Sequence, residues 1–226
     1  MMSERGVDIP DSAISGDGLS AHATICVDSD GERSSVTFPG VFANDPTWLP
    51  LEDLVNVRAV LVDHRWLQGA ERLLCAAAAR GIPRILDADL GAPEVVRRLT
   101  PLANHAIFAR GALVEFSGHD DPEAGLRAVA REDSDVVAVT LGDAGSLFRI
   151  RGEIYHVPTL TISASDTTGA GDVFHGAYAL AVAEGFEILE AARFATAAAA
   201  LKAINGRSWD GMPDRQAVFN LLKEKW

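Results

Sequence analysis

Between Arg58 and Gly142 the chain alternates short apolar runs with helix-like segments, and no other feature limits the fold so strongly. RAVLVD (Arg58–Asp63), IPRILDAD (Ile82–Asp89), NHAIFA (Asn104–Ala109) and DVVAVTLG (Asp135–Gly142) read as strands. The first is continuously apolar, as expected of a strand buried on both faces. AERLLCAAAARG reads as a helix stopped by Gly81, and EVVRRL and PEAGLRAVARE read as two more. Strands alternating with helices predict a parallel, doubly wound α/β sheet, because a helix between two strands carries the chain back to the end where the first strand began.

The flanks differ. HATICVD (His22–Asp28) and RSSVTFP (Arg33–Pro39) are β-rich runs around an Asp30-Gly31 turn signal, and together predict a hairpin. AGSLFRIRGEIYHVP adds two short antiparallel runs around Arg151-Gly152. Helices are expected over Ala170–Glu184, Glu187–Ile204 and Pro213–Lys225, with Asn205-Gly206 ending the middle one. The division expected is a small β lid and lead-in over residues 1–45 and an α/β body over 46–226.

Composition excludes some roles. A formal net charge of -12 repels a nucleic-acid backbone, and Lys and Arg are scattered, Arg97-Arg98 being the densest pair. The polar start MMSERGVDIPDS and the lack of an apolar run near the ~20 residues of a membrane span predict a cytoplasmic chain. Cys26 and Cys75 are widely separated and read as buried thiols of a reducing compartment. Six histidines form no HxH or HxxxH pair.

In open parallel sheets ligands bind off the carboxyl ends of the strands. Here those ends carry Asp63-His64-Arg65, Asp87-Ala88-Asp89, Ala109-Arg110 and Thr140-Leu141-Gly142. Asp87 and Asp89 could bind metal or sugar, or be ordinary loop acids. The most informative stretch lies beyond them: SASDTTGAGDVFHGAYALAVAEG, where Gly169-Ala170-Gly171 precedes Asp172 at the start of an alanine-rich helix. One reading is a tightly packed helix start with an acid favoured by the dipole at about 0.3–1 kcal/mol. The other is an anion hole of successive backbone N–H groups, with Asp172 beside it as a base for a hydroxyl proton. Local residues do not decide between them. There is no GxxxxGK[ST], and the glycine spacing is not GxGxxG, so the common nucleotide loops are excluded. His175, on the same helix, reads as a packing residue.

The run DTTGAGDVFHGAYA, Asp166–Ala179, resembles the C-terminal signature of the ribokinase-like (PfkB) carbohydrate kinases. VTLGDAGSLF (Val139–Phe148) is similar to that family's nucleotide-site strand and turn, and AARFATAAAALKAINGR (Ala191–Arg207) to the helix and loop that border its adenine. GVDIPDSAI…GER resembles the entry into its lid, and VLVDHRW with PRILDAD is similar to members acting on ketoses and their sulfonated relatives. The resemblance implies a three-layer α/β/α fold with a mostly parallel sheet and a small β lid. It implies ATP-dependent phosphoryl transfer to a hydroxyl of a sugar or sugar-like alcohol. Asp172 would be the catalytic base and Gly169, Ala170 and Gly171 the anion hole. Thr140, Gly142 and Gly145 would line the nucleotide's phosphates and ribose, with Thr196, Asn205 and Gly206 near its adenine. Asp166 and Thr168 match positions that in some members help hold a monovalent cation such as K+. Asp63 and Arg65 are the candidates on the sugar side. ATP and Mg2+ are the implied cofactors. A sugar is the implied partner, with the lid closing over it and a homodimer formed through that lid.

Two departures stand against the family pattern. The NxxE motif that organises magnesium and phosphate in many members should fall near Phe108–Gly118, where the chain reads FARGALVEFSG; Arg110 is the candidate substitute charge. The chain also starts about where the family's first strand and its sugar-binding GG segment have ended. The expectation is an N-terminally truncated member, less stable than a full one. A non-catalytic nucleotide- or partner-binding remnant is the alternative function, and a nucleoside or vitamin kinase of the same fold a further one.

Overall fold

A computed structural model of the chain describes residues 2–9, 12–13, 18–27, 33–41, 45–130, 136–160, 162, 166–206 and 208–225. The chain divides into two compact units, Met1–Pro50 and Leu51–Trp226. In the first, β1 (His22–Val27) pairs antiparallel with β2 (Arg33–Phe38), in register from His22↔Phe38 to Val27↔Arg33. This is the hairpin read from the sequence; its Asp30-Gly31 turn lies outside the described residues.

The second unit is built on a six-stranded sheet in which every strand pairs with its successor in sequence. β3 (Val60–Val62), β4 (Arg84–Ala88), β5 (His105–Ala109) and β6 (Val136–Thr140) are parallel, and β7 (Ser146–Ile150) and β8 (Glu153–Val157) continue antiparallel. Parallel neighbours need crossovers, and right-handed crossovers advancing in one direction place their helices on one face. There lie α1 (Leu67–Ala78), α2 (Pro93–Leu99), α3 (Arg110–Ser117) and α4 (Pro122–Val129). They pack Leu74, Val96, Leu99, Leu113 and Leu126 against Leu86, Phe108 and Val139. The opposite face carries α5 (Ala170–Ala183), α6 (Ile188–Asn205) and α7 (Arg215–Lys225), whose Phe174, Tyr178, Phe194 and alanines cover Ile85, Ile107, Ala138 and Phe148. The result is a three-layer α/β/α unit with a mostly parallel sheet.

Local chemistry explains the junctions. The β7–β8 hairpin turns at Arg151 (φ 51°) and Gly152 (φ 88°), two successive left-handed residues as a type I′ turn requires. Asp121 caps α4, its carboxylate accepting the Ala124 N–H at 2.8 Å. Alanines on α6 let α5 approach closely, and Ala191, Ala192, Ala195 and Ala197 are fully buried.

Three expectations change and one helix is added. β3 is not covered on both faces: Val60 is buried but Leu61 is 38% exposed, on the face towards α5. The first helix starts at Leu67 rather than Ala70, with the Trp66 ring packed where a side chain at Gly69 would stand. FARGALVEFSG contains α3, because Ala112 and Leu113 give it a buried face. Both cysteines are exposed free thiols, Cys26 on the two-stranded sheet and Cys75 on the outer side of α1. Among the described residues no helix is long and apolar enough to cross a membrane.

Candidate active site

The first turn of α5 is entered through Gly169, whose φ of 76° is a left-handed conformation that costs glycine nothing. Backbone and side-chain bonds hold the preceding loop. The Asp166 carboxylate accepts the Thr168 N–H at 2.9 Å, the Thr167 carbonyl accepts the Ala170 N–H at 3.1 Å, and the Asp166 N–H donates to Ala203 on α6 at 3.3 Å. The loop is therefore tied both to itself and to the neighbouring helix. The first N–H groups of any helix have no partner within it, so this turn directs donors outward from a fixed frame.

On one side of that turn is a cavity of about 580 Å³. Ala170 and Gly171 line it, together with Thr140, Gly142 and Gly145 after β6, Thr159 after β8, and Thr196, Ala199, Ala200 and Ala203 of α6. The alanines keep the α6 wall shallow. The glycine turn is braced: Gly145 N–H donates to the Gly142 carbonyl at 3.1 Å, and His156 Nε2 donates to the Ala144 carbonyl at 2.8 Å. Ser146 is buried, and its hydroxyl has no hydrogen-bond partner on this wall. Thr196 turns its hydroxyl to the Ala192 carbonyl at 2.8 Å, so it contributes its methyl to the wall. Asn205 and Gly206 are not among the lining residues. Gly206 ends α6 at φ 61°, ψ −150°, and the Asn205 side chain donates to the Gly211 carbonyl at 3.1 Å.

On the other side of the turn are the carboxyl ends of β3 and β4. Asp172 is exposed and its charge reaches Asp87 at the end of β4; it also borders a smaller cavity of about 350 Å³ between α5, α6 and α7, with Gly176, Leu180, Met212 and Arg215. Asp87 lies deeper. Burial raises its carboxyl from 3.8 to about 6, the His175 charge opposes that rise, and the charges of Asp89, Asp172 and Asp63 add to it. Four acids thus share one neighbourhood. Asp63 is spent locally, accepting the Arg65 N–H at 2.9 Å and facing Arg65 Nε at 3.3 Å. Burial lowers the titration of His64, against the nearby charge of Asp63. Among the described residues no group of three or more His, Cys, Asp or Glu side chains is arranged to hold a metal ion. Arg110 is the exposed first residue of α3 and borders neither cavity.

A carboxyl raised by burial gives up stability as it ionises, so the contribution of Asp87 falls as pH rises from about 4 through about 6. Asp87→Asn is expected to raise stability at pH 8 by about 1–3 kcal/mol and by much less at pH 4, where the carboxyl is still mostly protonated in the folded chain. Thermal melts at the two pH values check this; an equal gain at both would show that ionisation is not the cause.

The structure therefore brings Thr140, Gly142, Gly145, Thr196, Ala170 and Gly171 to one cavity. It puts Asp63, Arg65 and Asp172 across the turn from them, and leaves Asn205 and Gly206 off the cavity wall. Sequence reasoning left two participants without a role. Asp87 reads as either a ligand-binding acid or an ordinary loop acid and His175 as a packing residue, so neither reading pairs them, and only the fold brings them to 3.4 Å.

Comparison with known proteins supplies a family. The model for "pfkB family carbohydrate kinase" matches residues 1–213. Arabidopsis thaliana ribokinase is 31% identical over 216 residues, covering 89% of this chain. The chain spans 56% of that enzyme's length. The structure of Arabidopsis thaliana ribokinase complexed with ribose and ATP superposes with a TM-score of 0.77 at 27% identity, over 92% of this chain and 70% of the other. A Burkholderia thailandensis nucleoside kinase in complex with inosine shares the fold, with a TM-score of 0.81 at 21% identity over 100% of this chain and 75% of the other.

Proposed function

The chain belongs to the pfkB family of carbohydrate kinases, and on that premise we propose that it transfers the γ-phosphoryl group of ATP to a hydroxyl of a sugar. The observation that carries this reading is the placement of one helical turn. Ala170 and Gly171 border the nucleotide-sized cavity, and Asp172, the next residue, stands on the side of the strand-end acids. A phosphoryl group held by the turn's N–H donors would lie next to a hydroxyl whose proton the Asp172 carboxylate can take.

The reaction then runs in line. The acceptor oxygen loses its proton to Asp172 as it bonds to the γ-phosphorus, and the bond from that phosphorus to the β–γ bridging oxygen breaks, releasing ADP. The amides of Gly169, Ala170 and Gly171 meet the charge on the transferring group, for which Ala170 must give up its bond to Thr167. Mg2+ entering with ATP supplies further positive charge to the phosphates. A monovalent cation beside Asp166 and Thr168 belongs to the same reading, and exchanging K+ for Na+ in the assay examines it.

ADP release from Mg-ATP, measured against D-ribose, other pentoses, hexoses, ketoses and inosine, is the test. Sugar-dependent release is expected. A folded sample that binds ADP but releases none with any acceptor would overturn the reading, and release with inosine alone would move the acceptor class to nucleosides.

A further inference from the structure

His175 is 5% exposed, with its ring edge-on to Phe174 at a centroid distance of 5.7 Å. Its Nδ1 lies 2.8 Å from the Gly171 carbonyl oxygen and 3.4 Å from Asp87 Oδ2. Both neighbours are acceptors, so Nδ1 carries the proton and shares it between them. Nε2 is buried and has no hydrogen-bond partner among the described residues. The ring thus uses one nitrogen, and that nitrogen joins the end of β4 to the first turn of α5.

The joined atom matters. The Gly171 carbonyl and the Asp172 N–H belong to one planar peptide group, so fixing the carbonyl fixes the plane from which the Asp172 backbone starts. A helix holds such a carbonyl with a single N–H from four residues later; here a side chain adds a second hold, from the sheet side. We infer that His175, braced by Asp87, is a positioning residue that keeps the Gly171–Asp172 peptide in one orientation, and with it both the base and the amide donors. This rests on the reading of Asp172 as the base. Misplacing a reacting group by about 1 Å can cost about 100-fold in rate, so the link is large enough to measure.

Packing alone predicts a different ranking of variants. His175→Leu fills the same space without the bond, whereas the Asn amide in His175→Asn has an N–H near the place of Nδ1–H but fills the space less well. In the Mg-ATP and D-ribose assay, His175→Leu is expected to lower kcat by about 10–100-fold with KM for ATP within about twofold. His175→Asn is expected to recover most of that loss. The reverse order, with Leu active and Asn impaired, would overturn the inference. Ring nitrogen NMR on the intact chain needs no turnover. The expected state is the Nδ1–H tautomer, with a proton signal that shifts in Asp87→Asn; an Nε2–H tautomer, or a signal indifferent to Asp87, would overturn the inference independently. Asp172→Asn separates the two claims. If it stays active, the base assignment fails and the NMR result alone decides the role of His175. If it is silent while His175→Leu equals wild type, the positioning role fails.

Discussion

Asp172→Asn is expected to lower kcat for sugar-dependent ADP release by about 10²–10⁴-fold while leaving ADP affinity within about twofold. A positioned general base contributes about 10²–10⁴-fold, and an amide in its place can accept a hydrogen bond but cannot remove the proton. Nucleotide affinity is spared because Asp172 is not among the residues lining the 580 Å³ cavity. Stability should change little. Loss of a first-turn charge costs about 0.3–1 kcal/mol, and relief of the repulsion on Asp87 offsets part of it. Rate, ADP titration and melting temperature from one preparation check all three. Turnover within tenfold of wild type would remove Asp172 from the chemistry, and a fall in ADP affinity equal to the fall in rate would make it a binding residue.

How far this site is legible in the sequence depends on the range of the interactions that build it. GAGD at a helix start is a local pattern, since one turn holds both the donors and the acid. The Arg151-Gly152 turn and the alternation from β3 to β6 are equally local, and the structure follows them. The Asp87–His175 link is not: a strand-end acid and a helical histidine meet only because α5 runs beneath the sheet beside β3 and β4. Asn205-Gly206 illustrates the same limit. The pair ends α6 as its residue types predict, yet the Asn205 side chain turns to Gly211, a bond that no residue pattern announces. Leu61 misleads for a related reason, because apolarity does not say whether a second layer covers that face. α3 is hidden by its brevity, eight residues with only Ala112 and Leu113 buried.

The glycine turn after β6 should be as sensitive for the fold as Asp172 is for the rate. Gly145 has φ 86° and ψ −133°, a region essentially reserved for glycine. A Cβ there would stand 2.3 Å from the Val157 carbonyl oxygen, 2.9 Å from the Thr159 nitrogen and 3.0 Å from Pro158 Cα. All three are backbone atoms, so no side chain can swing aside. The strand end must move, and Thr159, part of the cavity wall, moves with it. Backbone strain of about 1–3 kcal/mol and overpacking of about 1–3 kcal/mol together predict a loss of about 2–5 kcal/mol in Gly145→Ala. That corresponds to a drop in melting temperature of about 5–15 °C for a chain of this size. ADP affinity should fall at least about tenfold at temperatures where the variant is still folded. Gly142→Ala is the control: Gly142 is also left-handed, at φ 62°, but a Cβ there meets nothing within 4 Å. Its cost is left-handed strain alone, about 1–2 kcal/mol. If the two variants melt within about two degrees of each other, the contact with Val157 is not what confines Gly145.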